Sequence, residues 1–157
     1  MRKLFFVAIA PFLVSYSSAP KQESESSPRY IQDYNAGIEA QKNQDYESAI
    51  DSYRKAVDQK GDFSDAWNNL GYCYRMVAKS NLAKSEDAYT KALKNSPNHE
   101  EALEYQGESF VMTGKLDAAY QNYLKLKQMG SKEAGDLKDT LDPVLKQAQK
   151  VLKTYQP

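Results

Sequence analysis

The residues best suited to chemistry in this sequence are three glutamates at helical spacing. Glu101, Glu104 and Glu108 lie three and four positions apart, so a helix would place them on one face. Two interpretations stay open: an acidic binding surface, or a solvated helix face with Glu101 favourably placed in a first turn. No nucleophile–base pair, phosphate-binding loop or metal-ligand spacing accompanies them, so the sequence predicts no enzyme and no catalytic residue.

Cys73 and His99 are the single cysteine and the single histidine of the chain. One cysteine excludes an intrachain disulfide and a cysteine-based metal site, and one histidine excludes a site built on a histidine pair. We predict a semi-buried, inert thiol for Cys73, and either an exposed loop residue or a helix-start cap for His99. No metal and no cofactor is expected.

Composition and charge also limit the function. The 157 residues include 21 lysines and arginines against 21 aspartates and glutamates, and 41% are hydrophobic. This balance is typical of a soluble domain, and without a basic surplus no nucleic-acid partner is expected.

The amino-terminal residues predict a secretory signal. Basic Arg2 and Lys3 precede an apolar run over residues 4–14, and small residues follow it. The run is shorter than the roughly 20 residues that cross a bilayer. We expect cleavage after residue 17, a protein exported to the periplasm or beyond the cell, and no stable membrane span afterwards. Residues 18–29 are rich in serine, proline and charge, and predict a flexible linker.

Three segments of the chain repeat one another. Gly37, Gly71 and Gly107 lie 34 and 36 residues apart, and an alanine- and tyrosine-containing phrase follows each of them. A glycine inside a helix costs about 1 kcal/mol relative to alanine, so we infer close approach by a neighbouring helix at each position. The two extra residues of the longer spacing fall near residues 78–81, in a predicted turn.

The tyrosines of these phrases are predicted to be mostly core residues. Tyr53, Tyr89 and Tyr123 recur where gaps between successive helix pairs must be filled, with their hydroxyls near the surface. Beyond the repeats, residues 134–157 have apolar positions at helical spacing and predict a capping helix, with a kink or a short break at Pro143.

The repeats resemble the tetratricopeptide repeat. The resemblance covers residues 30–133 and implies an all-α fold, a right-handed superhelical solenoid of antiparallel helix pairs with repeats at 30–63, 64–99 and 100–133. Ser85 stands where the family usually has alanine. The positions of the family pattern that the middle repeat keeps are Trp67, Leu70, Gly71, Tyr74, Tyr89, Ala92 and Pro97.

The resemblance further implies a concave groove, lined by the first helix of each pair, that holds a peptide. Family members that bind the carboxylate end of chaperone tails use lysines, asparagines and an arginine there; of these positions only Asn69 matches, so no such clamp is predicted. The acidic groove end instead favours a basic or amide-bearing segment. By position the groove comprises Ile31, Tyr34, Asn35, Ile38, Asn68, Asn69, Tyr72, Arg75, Met76, Glu101, Glu104, Tyr105, Glu108, Val111 and Met112.

These observations predict a protein-interaction module, a scaffold or adaptor of the cell envelope that binds a protein or peptide partner. The alternative is a structural module that self-associates through its groove or a solenoid end, so that a homo-oligomer is the functional form.

Overall fold

The computed structural model describes the backbone of residues 27–154 and the side chains of residues 27–150. The predicted signal peptide, residues 1–17, and the linker up to residue 26 lie outside the described residues. The described part contains helices and no strand. The helices are α1 (Arg29–Lys42), α2 (Tyr46–Gln59), α3 (Ser64–Val77), α4 (Leu82–Asn95), α5 (Glu100–Met112), α6 (Leu116–Met129) and α7 (Glu133–Thr154).

The helices form pairs that stack on one another. Short turns join α1 to α2, α3 to α4 and α5 to α6, so the two helices of each pair run antiparallel. Each second helix also packs against the first helix of the next pair, and α7 packs on both α5 and α6. This arrangement is a right-handed α–α superhelical solenoid, and it confirms the predicted fold.

Local side-chain caps determine where individual helices begin. The Asp45 carboxylate accepts a hydrogen bond from the Ser48 backbone N–H at 3.1 Å and starts α2. His99 Nδ1 accepts from the Ala102 N–H at 3.3 Å and starts α5, which confirms the helix-start interpretation of His99. Both contacts satisfy amide hydrogens that a helix leaves unpaired in its first turn.

The two extra residues of the middle repeat lie in the turn between α3 and α4, as the spacing predicts. Ala78 is extended, with φ −166° and ψ 152°, and Lys79–Asn81 form a short 3-10 helix before α4. The inserted residues therefore change the turn without interrupting either helix.

The repeat glycines are sites of close packing. A Cβ added to Gly71 would lie 2.7 Å from Tyr89 Cε1, within the same repeat, and Gly37 and Tyr53 are related in the same way. The third repeat differs, because the side chain over Gly107 belongs to Leu137 of α7. Tyr123 is partly buried and packs on the same cluster as Leu137, so it belongs to the core as predicted, but it does not lie over Gly107.

Helix α7 closes the carboxyl end of the stack. It continues through Pro143 as one helix, so the predicted alternative of a break at this proline is wrong. A proline inside a helix costs about 3 kcal/mol, and the packing of Leu137 and Leu141, which are at most 1% exposed, offsets that cost. No helix within the described range is long and apolar enough to cross a membrane.

Candidate functional site

The first helices of the three pairs together form a surface with two adjoining pockets. One pocket measures about 360 Å³ and the other about 240 Å³, and both are lined by Gln41, Asn69 and Tyr72. The larger pocket also contains Tyr34, Asp65, Asn68, His99, Glu101 and Tyr105. The smaller one adds Ile38, Lys42, Tyr46 and Tyr53.

The structure brings together about half of the residues predicted for the groove. Those that line the two pockets are Tyr34, Ile38, Asn68, Asn69, Tyr72, Glu101 and Tyr105. Those that line neither pocket are Ile31, Asn35, Arg75, Met76, Glu104, Glu108, Val111 and Met112.

Sequence reasoning missed three residues of the larger pocket. Gln41 lies four residues after Gly37, as Arg75 lies four residues after Gly71. Asp65 lies six residues before Gly71, as Glu101 lies six residues before Gly107. The repeat register alone could have found both. His99 lies outside that register, so only its position at the helix start brings it to the pocket.

A hydrogen-bond network orders the polar groups between the two pockets. The Asn69 amide nitrogen donates to Tyr34 Oη at 3.2 Å and to Tyr53 Oη at 3.4 Å. Tyr53 Oη in turn donates to Gln41 Oε1 at 2.8 Å. These bonds connect α1, α2 and α3, and they hold the Asn69 side chain in one orientation. Burial, together with the Asp65 charge, raises the pKa of Tyr34, so its hydroxyl stays neutral.

Arg75 connects the second and third repeats. Its guanidinium pairs with the Glu108 carboxylate, and these side chains are only 14% and 21% exposed. The same guanidinium lies 5.7 Å from the Tyr72 ring centroid and 5.2 Å from that of Tyr105. Cation–π contacts of this kind strengthen when they are shielded from water, so Arg75 holds these two tyrosines in place.

The three spaced glutamates have three different environments. Glu101 is 55% exposed at its side chain, Glu108 pairs with Arg75, and Glu104 is buried, with 9% exposure. Burial raises the pKa of Glu104 to about 7, and the negative charges of Glu108, Asp136 and Glu133 add to the increase. A solvated face therefore describes Glu101 alone.

His99 orients one carboxylate at the rim of the larger pocket. Because its Nδ1 accepts from the Ala102 N–H, its Nε2 carries the hydrogen and donates to Asp65 Oδ1 at 3.1 Å. The Glu101 carboxylate lies 3.3 Å from the other ring nitrogen. Within the part of the chain that the structure describes, no group of histidine, cysteine and acidic side chains is arranged to hold a metal ion.

Cys73 is buried more deeply than the semi-buried position predicted for it. Its side chain is 0% exposed, and burial raises the pKa of the thiol to about 12. The reactive thiolate is therefore scarce near neutral pH.

Stacked antiparallel helix pairs with a polar, tyrosine-rich groove define a helical-repeat scaffold. The tetratricopeptide repeat family model matches residues 34–76 and 77–134, and the chain belongs to that family. No curated protein matches it in sequence.

Solved structures of the same fold include domains from three organisms. The Sgt2 TPR domain from Aspergillus fumigatus superposes with a TM-score of 0.70 at 18% identity, covering 83% of this chain and 86% of that one. The Yersinia enterocolitica type III secretion chaperone SycD, in complex with a peptide of the translocator YopD, gives 0.69 at 13% identity, covering 78% and 97%. The second TPR domain of human RPAP3, in complex with the HSP70 peptide SGPTIEEVD, gives 0.65 at 22% identity, covering 73% and 95%.

Proposed function

We propose that this chain is a protein-interaction module that binds a segment of a partner protein in the groove of α1, α3 and α5. The observation that carries the proposal is the pair of adjoining pockets, whose shared residues are two amide side chains and a tyrosine. Amides bind a peptide backbone through its N–H and C=O groups, and tyrosine adds apolar contact area at small entropic cost.

The similar structures support this function and indicate a difference in charge. SycD and RPAP3 are seen with bound peptides, and the RPAP3 peptide ends in two glutamates, a valine and an aspartate. In this chain the larger pocket has Asp65 and Glu101 at its rim, and no lysine or arginine lines it. An acidic segment would be repelled there, so the partner segment is of a different charge class.

Peptide selection followed by NMR tests the groove. Peptides selected on the full chain from a phage-displayed library are titrated into the ¹⁵N-labelled chain. We expect shifts at Asn69 and Tyr72, and a loss of affinity of about 1 kcal/mol in Asn69→Ala. Lys55→Ala, an exposed position of α2, is the control and leaves affinity unchanged.

Shifts confined to a different surface would contradict the proposal. The clearest alternative is a pocket of about 390 Å³ between α2, α3 and α4, which is lined by Trp67 and Tyr74.

Export and the absence of catalysis are part of the proposal. The basic, apolar and small residues of positions 1–19 support export, and amino-terminal sequencing of the protein from the cell envelope tests it: a mature chain starting at Ser18 is expected.

A scaffold role is supported by the groove, which has amide and phenol groups but no nucleophile–base pair among its lining residues. Turnover of a bound peptide by the purified chain would overturn that part.

Self-association is a second candidate function, favoured by exposed apolar side chains near the carboxyl end. Tyr120 and Leu124 of α6 are 42% and 39% exposed, and Val144 of α7 is 37% exposed. Light scattering over a range of concentrations tests it. A dimer that Leu124→Lys dissociates would support it, and a monomer at all concentrations would exclude it.

A further inference from the structure

The larger pocket of the groove combines aromatic rings with carboxylates. Its walls include the rings of Tyr34, Tyr72 and Tyr105, and its rim includes the carboxylates of Asp65 and Glu101. The face of an aromatic ring attracts a cation through its π electrons, and a carboxylate attracts it through charge. We propose that this pocket binds a basic side chain of the partner segment, arginine in preference to lysine, an inference that rests on the groove function proposed above.

A buried acceptor in the pocket supports a ligand that donates hydrogen bonds. Asn68 lines the pocket and is only 5% exposed, and its amide oxygen has no hydrogen-bond partner among the described residues. A buried acceptor without a partner is destabilising, and such groups are rare in folded proteins. The oxygen itself is buried, so a rotation of the Asn68 side chain is needed to present it to the pocket. A guanidinium, with five N–H donors in one plane, could then donate to it while it stacks on a tyrosine ring.

The protein itself shows that these rings accept a guanidinium. Arg75 lies against Tyr72 and Tyr105, with its guanidinium carbon 5.7 and 5.2 Å from the two ring centroids, and pairs with Glu108. Arg75 does not line the pocket, so the pocket volume remains available to a ligand. Planar guanidinium stacks on aromatic rings more favourably than a compact ammonium does, which is the reason to prefer arginine.

The rim carboxylates are available to a cation. Within the described range, neither Asp65 nor Glu101 pairs with a lysine or arginine; both lie beside His99. Together these three residues also line a wider, open pocket of about 430 Å³ that includes Glu100. The acidic surface therefore continues outward from the tyrosine rings, which suits a segment with further basic residues beside the first.

Peptide pools with one fixed residue test the proposal on the full chain. Blocked heptapeptides, randomised except for a central Arg, Lys, Gln or Glu, are passed over the immobilised chain, and the retained fraction is measured by mass spectrometry. We expect the Arg pool to be retained roughly fivefold more than the Gln pool, as a few shielded cation–π and ionic contacts would give, with Lys between them and Glu lowest.

Matched variants assign the preference to this pocket. The double variant D65N/E101Q should reduce the Arg-to-Gln ratio to about one, whereas E47Q/D51N, with two exposed carboxylates removed from α2, should leave it unchanged. Tyr105→Leu should lower the Arg-to-Gln ratio, whereas Tyr105→Phe, which keeps the ring, should leave it at the value of the parent chain. Circular dichroism confirms that each variant is folded.

The outcomes separate this proposal from the groove function. Retention of all pools to the same extent, or an Arg preference that survives D65N/E101Q, would overturn the cation pocket and leave peptide binding in place. Retention of no pool would overturn both.

Discussion

Leu137 of α7 lies over Gly107 of α5, in the contact that tyrosines make in the other two repeats. A Cβ added to Gly107 would lie 2.5 Å from Leu137 Cδ2, and Leu137 itself is fully buried. In the first two repeats the corresponding contact joins the two helices of one pair. In the third repeat it joins the pair to the closing helix, so α7 is part of the core.

Alanine at position 107 should therefore destabilise the protein. The methyl group would lie within 3 Å of two Leu137 carbons, so this fully buried side chain would have to shift. Overpacking of this kind costs roughly 1–3 kcal/mol. Gly135→Ala is the matched control: Gly135 also lies in a helix, but nothing would lie within 4 Å of its added Cβ. That variant should gain about 0.5–1 kcal/mol from helix propensity. Urea unfolding followed by circular dichroism measures both, and equal effects would contradict the packing described for Leu137.

The fold could be predicted because its information is local and repeated. The spacing of Gly37, Gly71 and Gly107 gives the length of the repeat unit. Because the turn inside each unit is short, its two helices must run antiparallel. The contact of Leu137 could not be predicted in this way. Helix α7 is not a copy of the repeat unit, so its register against α5 depends on tertiary packing.

The groove was predictable to a similar extent. Residues whose place follows from the repeat register, such as Tyr72 and Asn69, were found, and Asp65 would have been found by applying the register consistently. The raised pKa of Glu104 was not predictable from the spacing, because two of the charges that contribute to it, Asp136 and Glu133, come from α7. Spacing alone makes Glu104 equivalent to exposed Glu101, whereas burial and the charges of Glu108 and α7 make the two different in the folded protein.

Glu104 should make stability depend on pH. Its pKa in the folded protein, about 7, exceeds the value of about 4.3 expected for the unfolded chain. The folded state therefore holds an extra proton between these values, and stability should fall as pH rises from about 4.5 to 7 and stay low above it. Glu108 on α5, with Glu133 and Asp136 on α7, opposes ionisation, and Arg75 on α3 favours it.

Glu104→Gln tests this dependence. The variant should be more stable than the parent by roughly 2–4 kcal/mol at pH 8 and nearly equal to it at pH 4.5. The difference of between two and three pKa units, at about 1.4 kcal/mol per unit, sets the upper end of this range, and screening by solvent lowers it. Glu47→Gln, which removes an exposed carboxyl at the start of α2, should leave the pH profile unchanged. Thermal unfolding at several pH values measures the difference, and parallel profiles for parent and Glu104→Gln would contradict the prediction.

The Arg75–Glu108 pair should be strongly coupled. Both side chains are mostly buried, so removing one partner leaves a charge without compensation, at a cost of about 3 kcal/mol. We expect Arg75→Gln to lose roughly this amount and the double variant with Glu108→Gln to recover part of it. A double-mutant cycle measures the coupling. The exposed pair of Lys91 and Asp87, 2.8 Å apart, provides the comparison and should give less than about 1 kcal/mol.

Ser85 should be replaceable by alanine with a gain in stability. Its side chain is 0% exposed, and its hydroxyl makes no hydrogen bond of ordinary geometry among the described residues, although it interacts weakly with the Tyr89 hydroxyl. The equivalent positions of the other repeats, Ala49 and Ala119, are alanines with the same burial. Removing a buried hydroxyl without a partner should stabilise the protein by about 1 kcal/mol. The reciprocal change Ala49→Ser buries such a hydroxyl in the first repeat and should cost a similar amount. Urea unfolding measures the change in the free energy of unfolding of each variant. A loss of stability in Ser85→Ala would show that this hydroxyl is hydrogen-bonded in the folded protein.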